Sequence, residues 1–161
     1  MTRLIVIFTF LIVNLSQLSL AKIASVIGNP NTEEIYFEVN KDTRNYPASL
    51  TKIMTLYIIF DEINLGKLNL NDLIRFSKYA TLQQPSKLNI DINDSITIDE
   101  AIDALIVKSA NDVAVAVAEK ISGSEKRFVK KMNNYAKRLK LDNTHFANPH
   151  GLPNKSNLSL S

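Results

Sequence analysis

Apolar residues recur every three or four positions in the segment that follows Ser49, which is the spacing that lines one face of an α-helix. The apolar positions are Ile53, Leu56, Tyr57 and Phe60. Pro47 precedes the segment and Gly66 follows it, and both residue types commonly flank helices. The pattern therefore predicts a buried helix with Ser49 in its first turn.

Two further helices are predicted on either side of a short break. Thr97 and Glu100 fit the Thr-x-x-Glu pattern of a capping box, which opens a helix through Val107. Ser109-Ala110-Asn111 interrupts this helix. A helix rich in alanine and valine follows over residues 112–121, and we expect it to end at Gly123 in a left-handed conformation.

The last predicted helix carries the one basic cluster of the chain. Ser124 can cap it, and it ends near Lys140. Its apolar positions are Phe128, Met132, Tyr135 and Leu139. Its basic residues, which we interpret as a solvated face, are Lys126, Arg127, Lys130, Lys131, Lys137, Arg138 and Lys140. Because the formal net charge is only +3, we expect no binding of nucleic acid, whereas a weak attraction to an anionic membrane surface stays open.

Strand signals are concentrated near the start of the chain. Residues 23–27 and 34–39 are strand-like and flank Gly28-Asn29-Pro30-Asn31-Thr32, which predicts a β-hairpin. Residues 67–93 are less regular, with a short alternation at residues 88–92. We assign that stretch to short helices and a small hairpin.

The N-terminal residues have the features of a secretory signal peptide. Arg3 precedes an uninterrupted apolar run over residues 4–13, and Ser19-Leu20-Ala21 offers small residues for cleavage after Ala21. An uncleaved membrane anchor is the alternative, although ten apolar residues are too few to cross a hydrocarbon core of about 30 Å. The expected signal peptide is therefore residues 1–21.

The composition of the chain is that of one globular domain. The chain is 45% hydrophobic and 22% charged, which excludes disordered and fibrous classes. It contains no cysteine, so neither disulfides nor thiolate metal sites contribute to stability. A buried apolar core must therefore hold the fold together.

Ser49 and Lys52 form a Ser-x-x-Lys pair at the predicted helix start. A serine in the first turn can offer its unpaired backbone N–H to a developing oxyanion while its hydroxyl attacks. Lys52 returns to the same face, and it can take the hydroxyl proton once its amine is neutral. Burial beside Ile53 and Leu56 and the positive end of the helix dipole both lower the pKa of a lysine. The alternative is that Ser49 caps the helix and Lys52 extends to water.

Four stretches of the chain, in order, carry a family resemblance. They are Arg44-Asn45-Tyr46-Pro47-Ala48-Ser49-Leu50-Thr51-Lys52-Ile53-Met54-Thr55, Leu105-Ile106-Val107-Lys108-Ser109-Ala110-Asn111-Asp112-Val113-Ala114, Gly123-Ser124-Glu125, and Asn143-Thr144-His145-Phe146-Ala147-Asn148-Pro149-His150-Gly151-Leu152. Together they resemble the serine-type D-alanyl-D-alanine carboxypeptidases, which are the low-molecular-mass penicillin-binding proteins. The resemblance implies an α+β fold of the serine β-lactamase and penicillin-binding-protein type, present here as the N-terminal hairpin and the helical region.

The resemblance also implies roles for individual residues. Ser49 is similar to the acylated nucleophile, Lys52 to its activating base, and Ser109 and Asn111 to a second motif that relays protons and holds the substrate amide. The implied reaction removes the terminal D-alanine of peptidoglycan pentapeptides, outside the cytoplasmic membrane in the periplasm or cell envelope. β-Lactams would acylate the same serine, and no metal or organic cofactor is implied.

A third motif of that family, a Lys-Thr-Gly-type triplet on a downstream strand, does not occur in these 161 residues. Lys155-Ser156-Asn157 does not replace it, because asparagine stands where glycine lets backbone and substrate approach closely. We therefore expect a C-terminally truncated carboxypeptidase domain over residues 22–152 and an aberrant tail over residues 153–161. Such a chain would be impaired or inactive and would expose apolar surface.

Three other functions are compatible with parts of the sequence. A class A β-lactamase shares the first two motifs, but its deacylating glutamate should follow the second motif, and no glutamate follows Glu125. A Ser-His-Asp hydrolase would recruit His145 or His150, but the chain has no Gly-x-Ser-x-Gly motif. The third is a non-catalytic remnant that binds cell-wall peptide.

Overall fold

The computed structural model describes residues 23–153. The predicted signal peptide at residues 1–21 and all but the first residue of the predicted tail at residues 153–161 lie outside this range. The chain divides into two compact units, one up to Thr43 and one from Arg44 onward.

The first unit contains an antiparallel β-hairpin. Strand β1 spans Ser25–Gly28 and strand β2 spans Ile35–Val39, with an irregularity in the pairing next to Ile27. In the connecting loop Asn31 donates its backbone N–H to Asn29 Oδ1 at 2.9 Å, a bond that stabilises a tight turn. The predicted hairpin is confirmed.

The second unit begins with the predicted helix, but the buried face of that helix differs from the prediction. A 3-10 turn at Ala48–Leu50 leads into helix α1, Thr51–Asn64. Three of the four residues expected to be buried are exposed: Ile53 by 63%, Phe60 by 47% and Tyr57 by 44%. The buried positions are Thr51, Lys52, Met54, Thr55, Ile58, Ile59 and Glu62. Ile59 packs into one apolar core and Met54 and Ile58 into another, and these contacts orient the helix.

The irregular stretch after α1 contains one strand and one short helix. Strand β3, Leu73–Arg75, pairs antiparallel with strand β4, Ser95–Thr97, and helix α2 spans Lys78–Thr81. The short helix agrees with the prediction. The small hairpin was misplaced, because residues 88–92 form no strand and the partner of β3 lies beyond residue 93. The backbone at the start of that alternation instead donates hydrogen bonds to Asp112.

The break between the next two helices falls at the predicted motif. Helix α3, Ile98–Asp103, begins with both hydrogen bonds of the predicted capping box and continues as a π-helical turn, Ala104–Lys108. Ser109 then ends the turn in a left-handed conformation, with φ 55° and ψ 40°. Helix α4, Asn111–Ser122, follows and ends at left-handed Gly123, as predicted.

Helix α5, Glu125–Arg138, has the predicted cap and buries three of the four residues predicted for its apolar face. The fourth, Leu139, follows the helix and is exposed. The Ser124 side chain accepts a hydrogen bond from the backbone N–H of Arg127. The buried residues are Phe128, Met132, Tyr135 and Ala136. The periodic pattern therefore gave the correct orientation of this helix.

Helix α4 contributes to both apolar cores, and this explains the burial of its first two turns. One core joins it to β3, β4 and α3 through residues such as Phe76, Ile98 and Val113. The other core joins its Ala118 to α1 and α5. Asn111 and Asp112 lie in the first turn of α4, so the fold carries these two polar side chains into the interior.

Within residues 23–153, no helix combines the length and the apolar character needed to cross a bilayer.

Candidate active site

Lys52 is buried in the first turn of α1. The residue is only 3% exposed, and its Nζ donates to Asn111 Oδ1 at 2.7 Å and to the backbone carbonyl of His150 at 3.0 Å. Burial disfavours the charged amine and lowers the pKa of Lys52 to about 8. The alternative in which Lys52 extends to water is wrong. A lysine with this pKa is partly neutral near pH 7, which a proton acceptor requires.

Ser49 lies exposed in the 3-10 turn that precedes α1. The N-cap positions of the turn and of α1 are Pro47 and Leu50, so the Ser49 hydroxyl is not used as a cap. Ala48 has a φ of 48°, which is uncommon for a residue with a side chain. Backbone strain of this kind, of order 1–3 kcal/mol, is concentrated at functional turns. The hydroxyl is therefore accessible at a strained turn, three residues before the buried amine.

The Ser109-Ala110-Asn111 motif reaches Lys52 through Asn111. Besides accepting from Lys52, Asn111 donates its Nδ2 hydrogen to Gln84 O at 2.9 Å and its backbone N–H to Ser86 O at 2.7 Å. These partners fix which atom of the side-chain amide is oxygen and which is nitrogen. Ser109 is half-buried in the strained backbone that ends the π-helical turn. The fold thus brings together two residues that are 59 positions apart in the chain.

Asp112 holds the chain segment around Leu88 and Asn89 by hydrogen bonds to its backbone. Its buried carboxylate accepts the backbone N–H groups of Leu88 at 3.0 Å, Asn89 at 3.1 Å and Val113 at 2.9 Å. A negative charge is favoured in the first turn of α4, where backbone donors point outward. The carboxylate therefore fixes the segment that supplies Gln84 O and Ser86 O to Asn111.

His150 contributes its backbone to the site and keeps a neutral ring. Its Nδ1 accepts the backbone N–H of Leu152 at 3.1 Å, so the ring proton is on Nε2, which lies 3.9 Å from Glu125 Oε1. Burial, and then the charge of Lys52, lower the pKa of His150 to about 4. His145 is exposed. Within residues 23–153, neither histidine forms a hydrogen bond with Ser49, as a Ser-His-Asp triad would require.

Sequence reasoning missed several groups that hold Lys52, Asn111 and the segment beside them. His150 O, Gln84 O and the Asp112 carboxylate were not assigned to the site, because backbone carbonyls and structural carboxylates have no sequence signature. The signals available for the His150 turn were its Asn-Pro-His-Gly composition, which favours a turn, and its place in the last stretch of the family resemblance. Among the described residues, no three His, Asp or Glu side chains are grouped to hold a metal ion.

The chain is similar to known bacterial proteins in sequence and in structure. A family model described as D-alanyl-D-alanine carboxypeptidase matches residues 13–161. The D-alanyl-D-alanine carboxypeptidase DacF of Bacillus subtilis is 38% identical over 144 residues, covering 89% of this chain and 37% of that protein. The crystal structure of the D-alanyl-D-alanine carboxypeptidase DacD from Francisella tularensis superimposes with a TM-score of 0.83 at 36% identity, covering 91% of this chain and 35% of that one.

A second similar structure contains a β-lactam. Penicillin-binding protein D2 from Listeria monocytogenes, in its cefotaxime-bound form, has a TM-score of 0.74 and 25% identity and covers 86% of this chain and 56% of that one. The chain therefore has the penicillin-binding-protein fold, and the predicted α+β class is confirmed. It spans little more than a third of the length of the Bacillus subtilis and Francisella tularensis carboxypeptidases.

Proposed function

Because the chain belongs to the D-alanyl-D-alanine carboxypeptidase family, we propose that it carries the acylating part of a serine carboxypeptidase site for peptidoglycan pentapeptides. The observation that most supports this proposal is the hydrogen bond from the Lys52 amine to Asn111 Oδ1. This bond joins the Ser-x-x-Lys and Ser-x-Asn motifs in one buried site. The low pKa of Lys52 adds a chemical reason, since only a neutral amine can act as the base.

In the proposed acylation step, Ser49 Oγ attacks the carbonyl carbon between the two D-alanine residues. The hydroxyl proton passes to the neutral Lys52 amine, and the carbonyl electrons move onto oxygen. The backbone N–H of Ser49, at the helix start, stabilises this oxyanion. When the intermediate collapses, the C–N bond breaks, and the departing D-alanine amine takes a proton from the Lys52 ammonium through the Ser109 hydroxyl. An ester on Ser49 and a neutral Lys52 are left.

Deacylation repeats the same chemistry with water as the nucleophile. Lys52 takes a proton from the attacking water, the ester C–O bond breaks, and the proton returns to Ser49 Oγ. Asn111 binds the substrate in this proposal, because only one of its two Nδ2 hydrogens is used by Gln84 O. The second hydrogen can bind a carbonyl of the peptide. β-Lactams would enter the same pathway at the acylation step.

The 161 residues contain no Lys-Thr-Gly triplet, and this affects the expected rate. Loss of one oxyanion donor typically lowers a rate by about 10²- to 10³-fold. We therefore propose that a protein limited to these residues is acylated slowly, or is a non-catalytic relative that binds cell-wall peptide. Labelling by a fluorescent penicillin at full stoichiometry within minutes would contradict the impairment.

The nucleophile assignment is tested by trapping the acyl-enzyme. After prolonged incubation with ampicillin, peptide mass spectrometry should find the adduct on Ser49 and nowhere else. Ser49→Ala should remove the adduct, while Ser95→Ala, at an exposed serine in β4, should keep it. An adduct that persists in Ser49→Ala would place the nucleophile elsewhere. No adduct on the wild-type chain after days would favour the non-catalytic alternative.

We also propose that the protein is exported and acts in the cell envelope. The support is the signal-peptide pattern at residues 1–21 and the location of peptidoglycan outside the cytoplasmic membrane. The basic residues of α5 would add a weak attraction to an anionic membrane surface. N-terminal sequencing of protein from the envelope fraction should begin at Lys22, and a start at Met1 would argue for an uncleaved anchor.

A further inference from the structure

The turn at residues 148–151 closes the pocket of the Lys52 amine. His150 O accepts a hydrogen bond from Lys52, and Pro149 O accepts one from Thr55 Oγ1 at 2.7 Å. Lys52 and Thr55 both lie on the buried face of α1. Asn148, Pro149 and His150 are themselves buried. The turn therefore forms one wall of the pocket and keeps water away from the amine.

The Asn148 side chain holds this turn. Its Oδ1 accepts the backbone N–H groups of His150 at 3.2 Å and Gly151 at 2.6 Å, and its Nδ2 donates to Leu152 O at 2.7 Å. The residue is 1% exposed, so water does not compete for these bonds. All of them go to the backbone of the turn, and none goes to Ser49 or Lys52. Asn148 can influence the two catalytic candidates only through the turn.

Gly151 brings the end of the same turn against the residue that precedes Ser49. Its φ is +87°, and an added Cβ would lie 1.7 Å from Ala48 O and 2.4 Å from Ala48 C. Both conditions demand glycine at this position. The backbone of the turn is therefore in direct contact with the strained turn that presents the Ser49 hydroxyl.

We propose that Asn148 is a positioning residue that fixes the 148–151 turn, so that His150 O holds the Lys52 amine and the Gly151 backbone supports the Ser49 turn. The inference rests on the proposed roles of Ser49 and Lys52. It assigns the Asn-Pro-His-Gly segment the task of setting the base and the nucleophile relative to each other. Neither motif contains this segment.

The test measures the pKa of Lys52 directly, by NMR titration of ¹³Cε-labelled lysine. The Lys52 signal is assigned as the one that disappears in Lys52→Arg. We expect a pKa of about 8 in the wild-type protein. In Asn148→Ala the turn opens, water reaches the amine, and the pKa should rise by about one unit or more. The acylation rate at pH 7 should fall by about tenfold for each unit, because the neutral fraction of Lys52 falls in that proportion.

Few other groups can disturb this titration. The turn places His150 near the amine, but its pKa of about 4 keeps it neutral throughout. On the α4 side, the amine contacts Asn111, which carries no charge. The carboxylate of the next residue, Asp112, accepts hydrogen bonds from backbone N–H groups. A shift in the Lys52 signal between pH 7 and pH 11 therefore reports the environment of Lys52.

Asn133→Ala is the matched control. Asn133 also makes three side-chain hydrogen bonds to the backbone, two of them to Phe146, at the start of the same loop. This variant loosens the loop away from Lys52 and should leave its pKa within about 0.3 units. An unchanged pKa in folded Asn148→Ala, an equal shift in Asn133→Ala, or a wild-type pKa near 10.4 would each overturn the proposal.

Hydrogen exchange on the wild-type protein covers the case in which Asn148→Ala does not fold. The amides of His150 and Gly151 should exchange as slowly as those in the core of α4, since both donate to Asn148 Oδ1. Exchange at the rate of an exposed loop would overturn the proposal. If the Lys52 pKa responds as expected but Ser49 is never acylated, the positioning role stands and the proposed function fails.

Discussion

Helices α1 and α5 have the same length, 14 residues, but they differ in which polar and apolar side chains they bury. α5 buries Phe128 and Met132 and turns its charges outward. α1 buries Lys52 and Glu62 and turns Ile53 and Phe60 outward. Both helices are held by buried apolar residues, but α1 also carries the polar groups of Lys52, Thr55 and Glu62 into the interior, where the candidate site lies. Helix α1, with its buried polar side chains, is therefore the helix that identifies the candidate site.

The buried polar side chains of α1, except Thr51, have specific hydrogen-bond partners, and these partners make their burial tolerable. Lys52 bonds to Asn111 and to the His150 carbonyl, Thr55 bonds to the Pro149 carbonyl, and Glu62 accepts from Lys131 Nζ at 2.5 Å. A buried polar group without a partner would cost about 1–3 kcal/mol. Within the described residues, Thr51 Oγ1 is the only buried side-chain polar atom that lacks a partner.

The largest expected effect comes from removing the buried Lys52 amine of α1. Lys52→Met should lower the rate of Ser49 acylation by about 10²- to 10⁴-fold, because a positioned base is lost. Lys130→Met, at an exposed position of α5, should change the rate by less than about twofold. Both rates are measured by mass spectrometry of the ampicillin adduct. Equal effects of the two substitutions would remove the functional difference between the helices.

A stability measurement compares the apolar residues of the two helices. Phe128→Ala, in the core beneath α5, should reduce the free energy of unfolding by about 3–5 kcal/mol. Phe60→Ala, on the exposed face of α1, should cost less than about 1 kcal/mol. Urea denaturation followed by circular dichroism gives both values. A large loss for Phe60→Ala would mean that this face is covered in the folded protein.

The pH dependence of acylation should follow the titration of Lys52. With a pKa of about 8, the amine changes from mostly charged at pH 7 to mostly neutral at pH 9. The acylation rate should rise by about tenfold over this range and then level off, since the neutral form is the base. His150, with a pKa of about 4, contributes no inflection there. A rate that falls with pH would contradict the assignment of Lys52 as the base.

The smallest expected effect distinguishes two serines at helix starts. Ser124→Ala removes the cap of α5 and should reduce the free energy of unfolding by about 1 kcal/mol. Ser49→Ala removes a hydroxyl that caps nothing and should change stability by no more than about 0.5 kcal/mol. Thermal denaturation of both variants gives the comparison. A stability loss in Ser49→Ala equal to that of Ser124→Ala would mean that Ser49 is structural.

Local signals were reliable wherever neighbouring residues determine the structure. The Thr97 and Glu100 capping box, the Ser124 cap and the left-handed Gly123 all formed as predicted, because each depends on hydrogen bonds within one turn. The hairpin in the first unit formed for the same reason. Residues 88–92 alternate like a strand, but their backbone bonds to Asp112, a partner 23 or 24 positions away that no local pattern indicates.

The candidate groups could be identified from the sequence, since the Ser-x-x-Lys and Ser-x-Asn motifs supply hydroxyls, an amine and an amide at residues 49, 52, 109 and 111. The sequence left open whether Lys52 is buried or extends to water, because its burial and its bond to the His150 carbonyl arise only when α1, α4 and a turn almost 100 positions away pack together. Helical periodicity depends only on the spacing of apolar side chains along the sequence. It cannot predict that residues of α1 pack into two separate apolar cores. Long-range packing therefore decided which face of α1 is inside, and with it the lowered pKa that the proposed role of Lys52 as a base requires.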